Sequence, residues 1–135
     1  MVAIMWNNAL SVKIESIDLQ HKKLIDLINN FYQNIDKQSS KELMFETIDA
    51  LKEYTVFHFS TEEHLMKQHG FPEYTSHKAE HESFVKKVLD IEERFKNGKL
   101  LITSEVTTFM RNWVAKHIMD TDKRYSTFLI AKGVS

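Results

Sequence analysis

The chain has 135 residues, a formal net charge of −1 and no cysteine. That length fits one domain with a core large enough to stand without staples. The missing cysteines exclude disulfides, thiolate ligands and cysteine nucleophiles, and the near-neutral charge argues against nucleic-acid binding, which needs a basic face. A cysteine-free chain suits a reducing cytosol, and a cytoplasmic location is expected. The start, Met1 to Trp6, has neither the positive flank nor the apolar run of a signal peptide. No stretch approaches the length of a membrane span. Three glycines and one proline are few, which favours helices over strands.

Residues 1 to about 16 read as irregular, with Trp6 as an apolar anchor. A first helix is expected from about Ile17 to Ile35. Its stripe of Ile17, Leu24, Ile25, Ile28, Phe31 or Tyr32, and Ile35 has His21 in its midst. A second begins near Ser39, where Ser39 with Glu42 fits a capping box, and ends at Gly70 and Pro72. Its stripe is Leu51, Tyr54 or Thr55, His58, Glu62 and Leu65. A third runs from about Glu73 to Asn97, with Tyr74, His77, His81, Phe84 or Val85, Val88, Ile91 and Phe95 on one face and Gly98 as its stop. A fourth starts near Thr103 with Val106, Phe109 or Met110, Trp113 and His117, and a short continuation carries Tyr125 and Leu129. Short connections make neighbours antiparallel. The expected fold is all-α: an up-down-up-down antiparallel four-helix bundle with an irregular N-terminal segment and a short C-terminal helix.

Polar residues interrupt every one of these apolar stripes, and they are of metal-ligand type. His58 with Glu62, and His77 with His81, are four residues apart, so each pair shares a helix face one turn apart. His21 and His117 add single donors. Asp122 lies five residues beyond His117, which on a continuous α-helix turns it off that face by about 140°. Either the helix breaks or bulges between them, or Asp122 is not a ligand. A break or bulge is favoured, because such irregularities gather at functional sites. Left unpaired, each buried polar group would cost about 1–3 kcal/mol. Seven donors exceed one octahedral shell and suit two ions, and imidazole with carboxylate suits iron, zinc or manganese. His64 and His69 fall outside the pattern and are expected to be solvent-exposed.

Taken together, these stretches resemble the bacterial hemerythrins over essentially the whole chain. The matching segments are Trp6 with Ser11-Val12; Ile17 to Leu24; His58 to Met66; Phe71-Pro72 followed by His77 to His81; and Trp113 to Asp122. The resemblance implies a single hemerythrin-like domain over 1–135 with two iron ions as a di-iron, oxo- or hydroxo-bridged centre. By position, His77, His81 and His117 would bind one iron and His21 and His58 the other, with Glu62 and Asp122 bridging. The two-histidine iron would keep an open position for dioxygen, lined by Leu24, Phe59, Trp113, Val114 and Ile118. The family's aspartate has the same five-residue offset. One departure is Lys13, where many relatives carry glycine, and it bears on the backbone of the N-terminal segment.

The donor set carries fewer negative charges than the four-Glu, two-His set of ferritin-like bundles, and the apolar lining offers no acid. Reversible dioxygen binding for storage, delivery or scavenging is therefore favoured over catalysis. The alternatives are an oxygen or redox sensor domain of a larger signalling protein, and a di-iron oxidase or peroxidase. Dioxygen is the one partner implied; no nucleic acid or membrane is expected.

Overall fold

The computed structural model describes residues 4–37, 40–98 and 103–134. After a short 3₁₀ turn at Asn8–Leu10 come α1 (Glu15–Asp36), α2 (Lys41–His69), α3 (Tyr74–Lys96), α4 (Thr103–Lys116) and α5 (Asp122–Ala131). A π-helical segment, His117–Thr121, joins α4 to α5 without a break. Helix α2 packs between α1 and α3, and α4 packs on α1, closing the four-helix bundle.

The ends of α1 and α2 show local causes. Glu15 and Asp18 lie in the first turn of α1, where negative charge suits the dipole. Asp18 also ties down the N-terminal segment: it accepts from Ser11 Oγ at 2.6 Å and from the Val12 N–H at 2.8 Å. Between them Lys13 takes a left-handed φ of 64°, the conformation glycine adopts without strain. Trp6 is half-buried against the core, with the Lys22 ammonium 5.0 Å from its ring centre.

At the start of α2 the cap is Ser40, whose side chain accepts from the Leu43 N–H at 3.2 Å. Ser39 lies outside the described residues, and Glu42 stands one position too early to close a box with Ser40. Helix α2 ends on Gly70 at φ 71°, with Phe71 N–H returning to Met66 O at 2.9 Å and Gly70 N–H to Lys67 O at 3.3 Å. This is a Schellman turn. Its apolar partners Met66 and Phe71 are both buried, so Met66, rather than the half-buried Leu65, completes the α2 stripe.

The expected stripes otherwise form the interior. Ile28, Phe31, Tyr32, Ile48, Leu51, Phe84, Val88, Ile91 and Met110 belong to one apolar cluster. Val12, Ile14, Ile17, Met66, Phe71, Tyr125 and Leu129 form a second. The Val106 side chain lies outside what is described.

Candidate metal centre

All seven expected donors meet in the bundle interior, each at most 1% exposed. His21 comes from α1, His58 and Glu62 from α2, His77 and His81 from α3, His117 from the π segment, and Asp122 from the first residue of α5. The π segment resolves the five-residue offset. The Asp122 N–H bonds back to His117 O, an i→i−5 step that inserts one extra residue into the turn and returns Asp122 to the His117 face.

The imidazoles turn their Nε2 atoms to two carboxylates. Glu62 Oε1 lies 3.4 Å from His58 and 3.1 Å from His81, while its Oε2 lies 3.4 Å from His21. Asp122 Oδ1 lies 3.0 Å from His77 and 2.9 Å from His117, and its Oδ2 is 3.0 Å from His21. Each carboxylate therefore spans from the α1–α2 histidines to those of α3 and the π segment. Glu62, His77, His81, His117 and Asp122 form one group of donor atoms within 4.8 Å of one another, and His21, His58 and Glu62 form a second that shares Glu62.

Most of these contacts are close without being hydrogen bonds. Eight buried side-chain atoms among the described residues lack a hydrogen-bond partner, and seven belong here: both nitrogens of His21 and His77, Glu62 Oε1, and both oxygens of Asp122. Orphaned donors and acceptors facing one another in a dry interior are costly. Cations held by imidazole and carboxylate would relieve that cost, so the residues present fit the metal that the sequence implies.

Electrostatics without a cation points the same way. Burial opposes charge on His21, yet Asp122 and Glu62 outweigh it and raise its pKa to about 9. His117 likewise rises to about 10 against burial, through Asp122 and Glu80. At His58 burial prevails over Glu62, and the pKa falls to about 4. Burial would raise the Glu62 and Asp122 carboxyls, but the surrounding histidines hold both well below the ordinary range. Both acids stay ionised while protons sit on some imidazoles. An entering cation displaces those protons, so binding weakens as pH falls.

The outer ring of partners was not legible in the stripes. Gln20, Glu63 and Glu80 contact the Nδ1 atoms of His58, His81 and His117. Tyr125 donates its buried O–H to Glu62. Gln20 and Glu80 flank donor histidines and Glu63 follows Glu62, which was the available signal; Tyr125 read simply as stripe.

Of the expected dioxygen-pocket residues, Leu24, Phe59, Val114 and Ile118 are buried in the main cluster, and Trp113 is half-buried against it. Phe59 stacks on His81 at 3.9 Å between ring centres, and Trp113 on His117 at 4.2 Å. Leu24 follows His21 by one helical turn. His64 is exposed as expected, whereas His69, the last residue of α2, is half-buried. No helix among the described residues is long and apolar enough to cross a membrane.

Fold and site together define a four-helix bundle with a buried, histidine-rich layer of cation-ligand chemistry. The hemerythrin HHE cation-binding domain matches residues 12–129, and the chain belongs to the hemerythrin family. It is 32% identical over 126 residues to the bacteriohemerythrin of Stenotrophomonas maltophilia (strain R551-3), covering 93% of this chain and 81% of that one. It is 31% identical over 132 residues to the bacteriohemerythrin of Methylococcus capsulatus (strain ATCC 33009 / NCIMB 11132 / Bath), covering 97% of this chain and 100% of its relative. A crystal structure of wild-type hemerythrin superposes with a TM-score of 0.85 at 29% identity, covering 93% of this chain and 97% of that chain.

Proposed function

We propose that this chain binds dioxygen reversibly at a non-haem centre of two irons. His77, His81 and His117 would hold one iron, His21 and His58 the other, and Glu62 and Asp122 would bridge them. The observation that carries the reading is the reach of the two carboxylates, each of which faces histidines from both groups. When bound, two ferrous ions would supply the two electrons that dioxygen accepts. The protein's part is to hold neutral imidazoles and ionised carboxylates in fixed positions and to keep water out. Leu24, Phe59, Trp113, Val114 and Ile118 are the residues proposed to exclude it. None of these side chains is an acid that could give up a proton to a bound ligand, and the Tyr125 proton is engaged by Glu62, so release is favoured over turnover. A cytoplasmic location and a single domain over 1–135 complete the proposal.

Metal analysis combined with an anaerobic-to-aerobic optical titration tests it. Two irons per chain and a spectral change reversed by removing dioxygen are expected. One iron, zinc at full occupancy, or irreversible oxidation at the first exposure would overturn it. Leu24→Ala should keep the iron and speed oxidation; an unchanged rate would remove Leu24 from the pocket.

A further inference from the structure

The acceptors behind the histidines carry different charges on the two sides of the centre. Behind His81 stands Glu63, with Oε2 2.9 Å from Nδ1. Behind His117 stands Glu80, with Oε1 3.0 Å from Nδ1. Thr121 Oγ fixes Glu80 in turn, 3.0 and 3.1 Å from its two oxygens. Thr121 belongs to the π segment, so the bulge that delivers Asp122 also delivers the clamp on Glu80. Behind His58 the acceptor is a neutral amide, Gln20 Oε1, at 2.8 Å. Gln20 is held through its own backbone carbonyl, which accepts from Tyr54 O–H at 3.2 Å.

An imidazole that gives its Nδ1–H to a carboxylate becomes a stronger donor at Nε2, and its ring is fixed in one tautomer and orientation. An amide orients the ring without adding negative charge. Glu63 is largely buried and Glu80 is partly open to solvent, with side-chain exposures of 20% and 37%, so Glu63 should act with less screening.

We propose that Glu63 and Glu80 are positioning residues that make the His77–His81–His117 side the stronger donor set, while Gln20 keeps the His21–His58 side the weaker one. The inference rests on the di-iron reading above. It gives the two irons unequal preferences: the three-histidine iron favours the ferric state, and the two-histidine iron is the more easily kept ferrous. The asymmetry lies in the charge of the outer acceptors and adds to the unequal number of histidines.

Redox titration of the iron-loaded protein tests this, with iron content measured on the same samples, for the wild type, Glu63→Gln, Glu80→Gln and Gln20→Glu. The first two substitutions keep an acceptor and remove a charge; the third adds one. Glu63→Gln and Glu80→Gln should weaken ferric binding relative to ferrous by about tenfold and raise the potential. Gln20→Glu should lower it. A purely structural role would reduce iron content in all three variants and would not move the potential in opposite directions. Unchanged potentials in the Gln variants at wild-type iron content would overturn the proposal. If either Gln variant fails to hold iron, Gln20→Glu decides alone: a lower potential supports the proposal, and an unchanged or higher one overturns it. A wild type that takes up no iron would instead overturn the di-iron reading itself.

Discussion

Two kinds of interior share the same helices. Around Ile28, Phe31, Ile48, Leu51, Val88 and Ile91 the bundle is closed mainly by apolar side chains, and the buried polar groups beside them are paired, Asn34 donating to Thr47 and Glu92 meeting Lys52. A few turns along, five imidazoles and two carboxylates occupy the equivalent inward positions. The first interior gains free energy from every chain it buries, at about 25 cal/mol per Å² of apolar surface. The second gains none without a partner for its charges. One helix shows both: the α2 stripe runs Met44, Ile48, Leu51, Thr55, His58, Glu62, Met66, all buried. The apolar part holds four helices together so that the polar part can be held apart. Only the polar part should respond to a metal.

The largest expected effect follows from removing a shared carboxylate. Glu62→Ala should abolish iron binding, because Glu62 belongs to both donor groups. With free iron at a thousandfold excess over its Kd, the wild type should gain about 4 kcal/mol for each iron bound, and the variant should gain none. His64→Ala, on the exposed side of the same helix, should match the wild type. Iron content with thermal unfolding, with and without iron, checks both; equal losses would mean that the polar face has been misassigned.

Truncating the other interior should behave differently. Leu51→Ala should cost about 3 kcal/mol through lost burial and the cavity left behind. That cost should be the same with and without iron, since Leu51 contacts the apolar cluster and is no donor. Denaturant unfolding of the apo and iron-loaded forms measures it. A penalty present in only one form would show that the two interiors are mechanically coupled.

The comparison also explains what the sequence disclosed. Helical periodicity reports which face of a helix turns inward, so both interiors were legible, the polar one through its interruption of the apolar stripes. Periodicity does not report which atom a side chain offers, or to whom. Gln20, Glu63 and Glu80 sit at the edges of the stripes, where polar residues are ordinary, and only the folded bundle brings them to the Nδ1 atoms of His58, His81 and His117. Tyr125 is indistinguishable from an apolar stripe residue until its O–H meets Glu62. Adjacent serines placed the expected α2 cap on Ser39, one residue before Ser40, whose side chain accepts from the Leu43 N–H. The five-residue step to Asp122 could be narrowed to a break, a bulge or a non-ligand; the i→i−5 bond from Asp122 N–H to His117 O makes it a bulge.

A smaller effect is expected at the segment that covers the end of the bundle. Lys13 holds φ at 64°, a conformation costing a side-chain-bearing residue about 1–2 kcal/mol. Lys13→Gly should relieve that strain and stabilise the protein by about 1 kcal/mol, part of the gain being offset by the greater freedom of an unfolded glycine chain. The gain should appear equally in apo and iron-loaded protein. A loss of stability would mean that the lysine side chain contributes more than its backbone costs.

The smallest effect belongs to a charge pair in the apolar half. Lys52 Nζ lies 2.8 Å from Glu92 Oε2, linking α2 to α3. Lys52, helped by Lys96, holds the Glu92 carboxyl below its ordinary range against the opposing effect of burial. A carboxylate with a depressed folded pKa adds stability above its unfolded pKa and loses it as pH falls through the folded value. Lys52 is 31% exposed, so solvent screening limits the pair to about 0.5 kcal/mol. Glu92→Gln should therefore be about that much less stable than the wild type at pH 7. The difference should close as pH drops below the ordinary glutamate value of about 4.3. It should also shrink in high salt. Urea unfolding of the apo protein across that pH range resolves it. A difference that persists at low pH would show that the hydrogen bond and packing of residue 92, rather than its charge, join α2 to α3 at this level of the bundle.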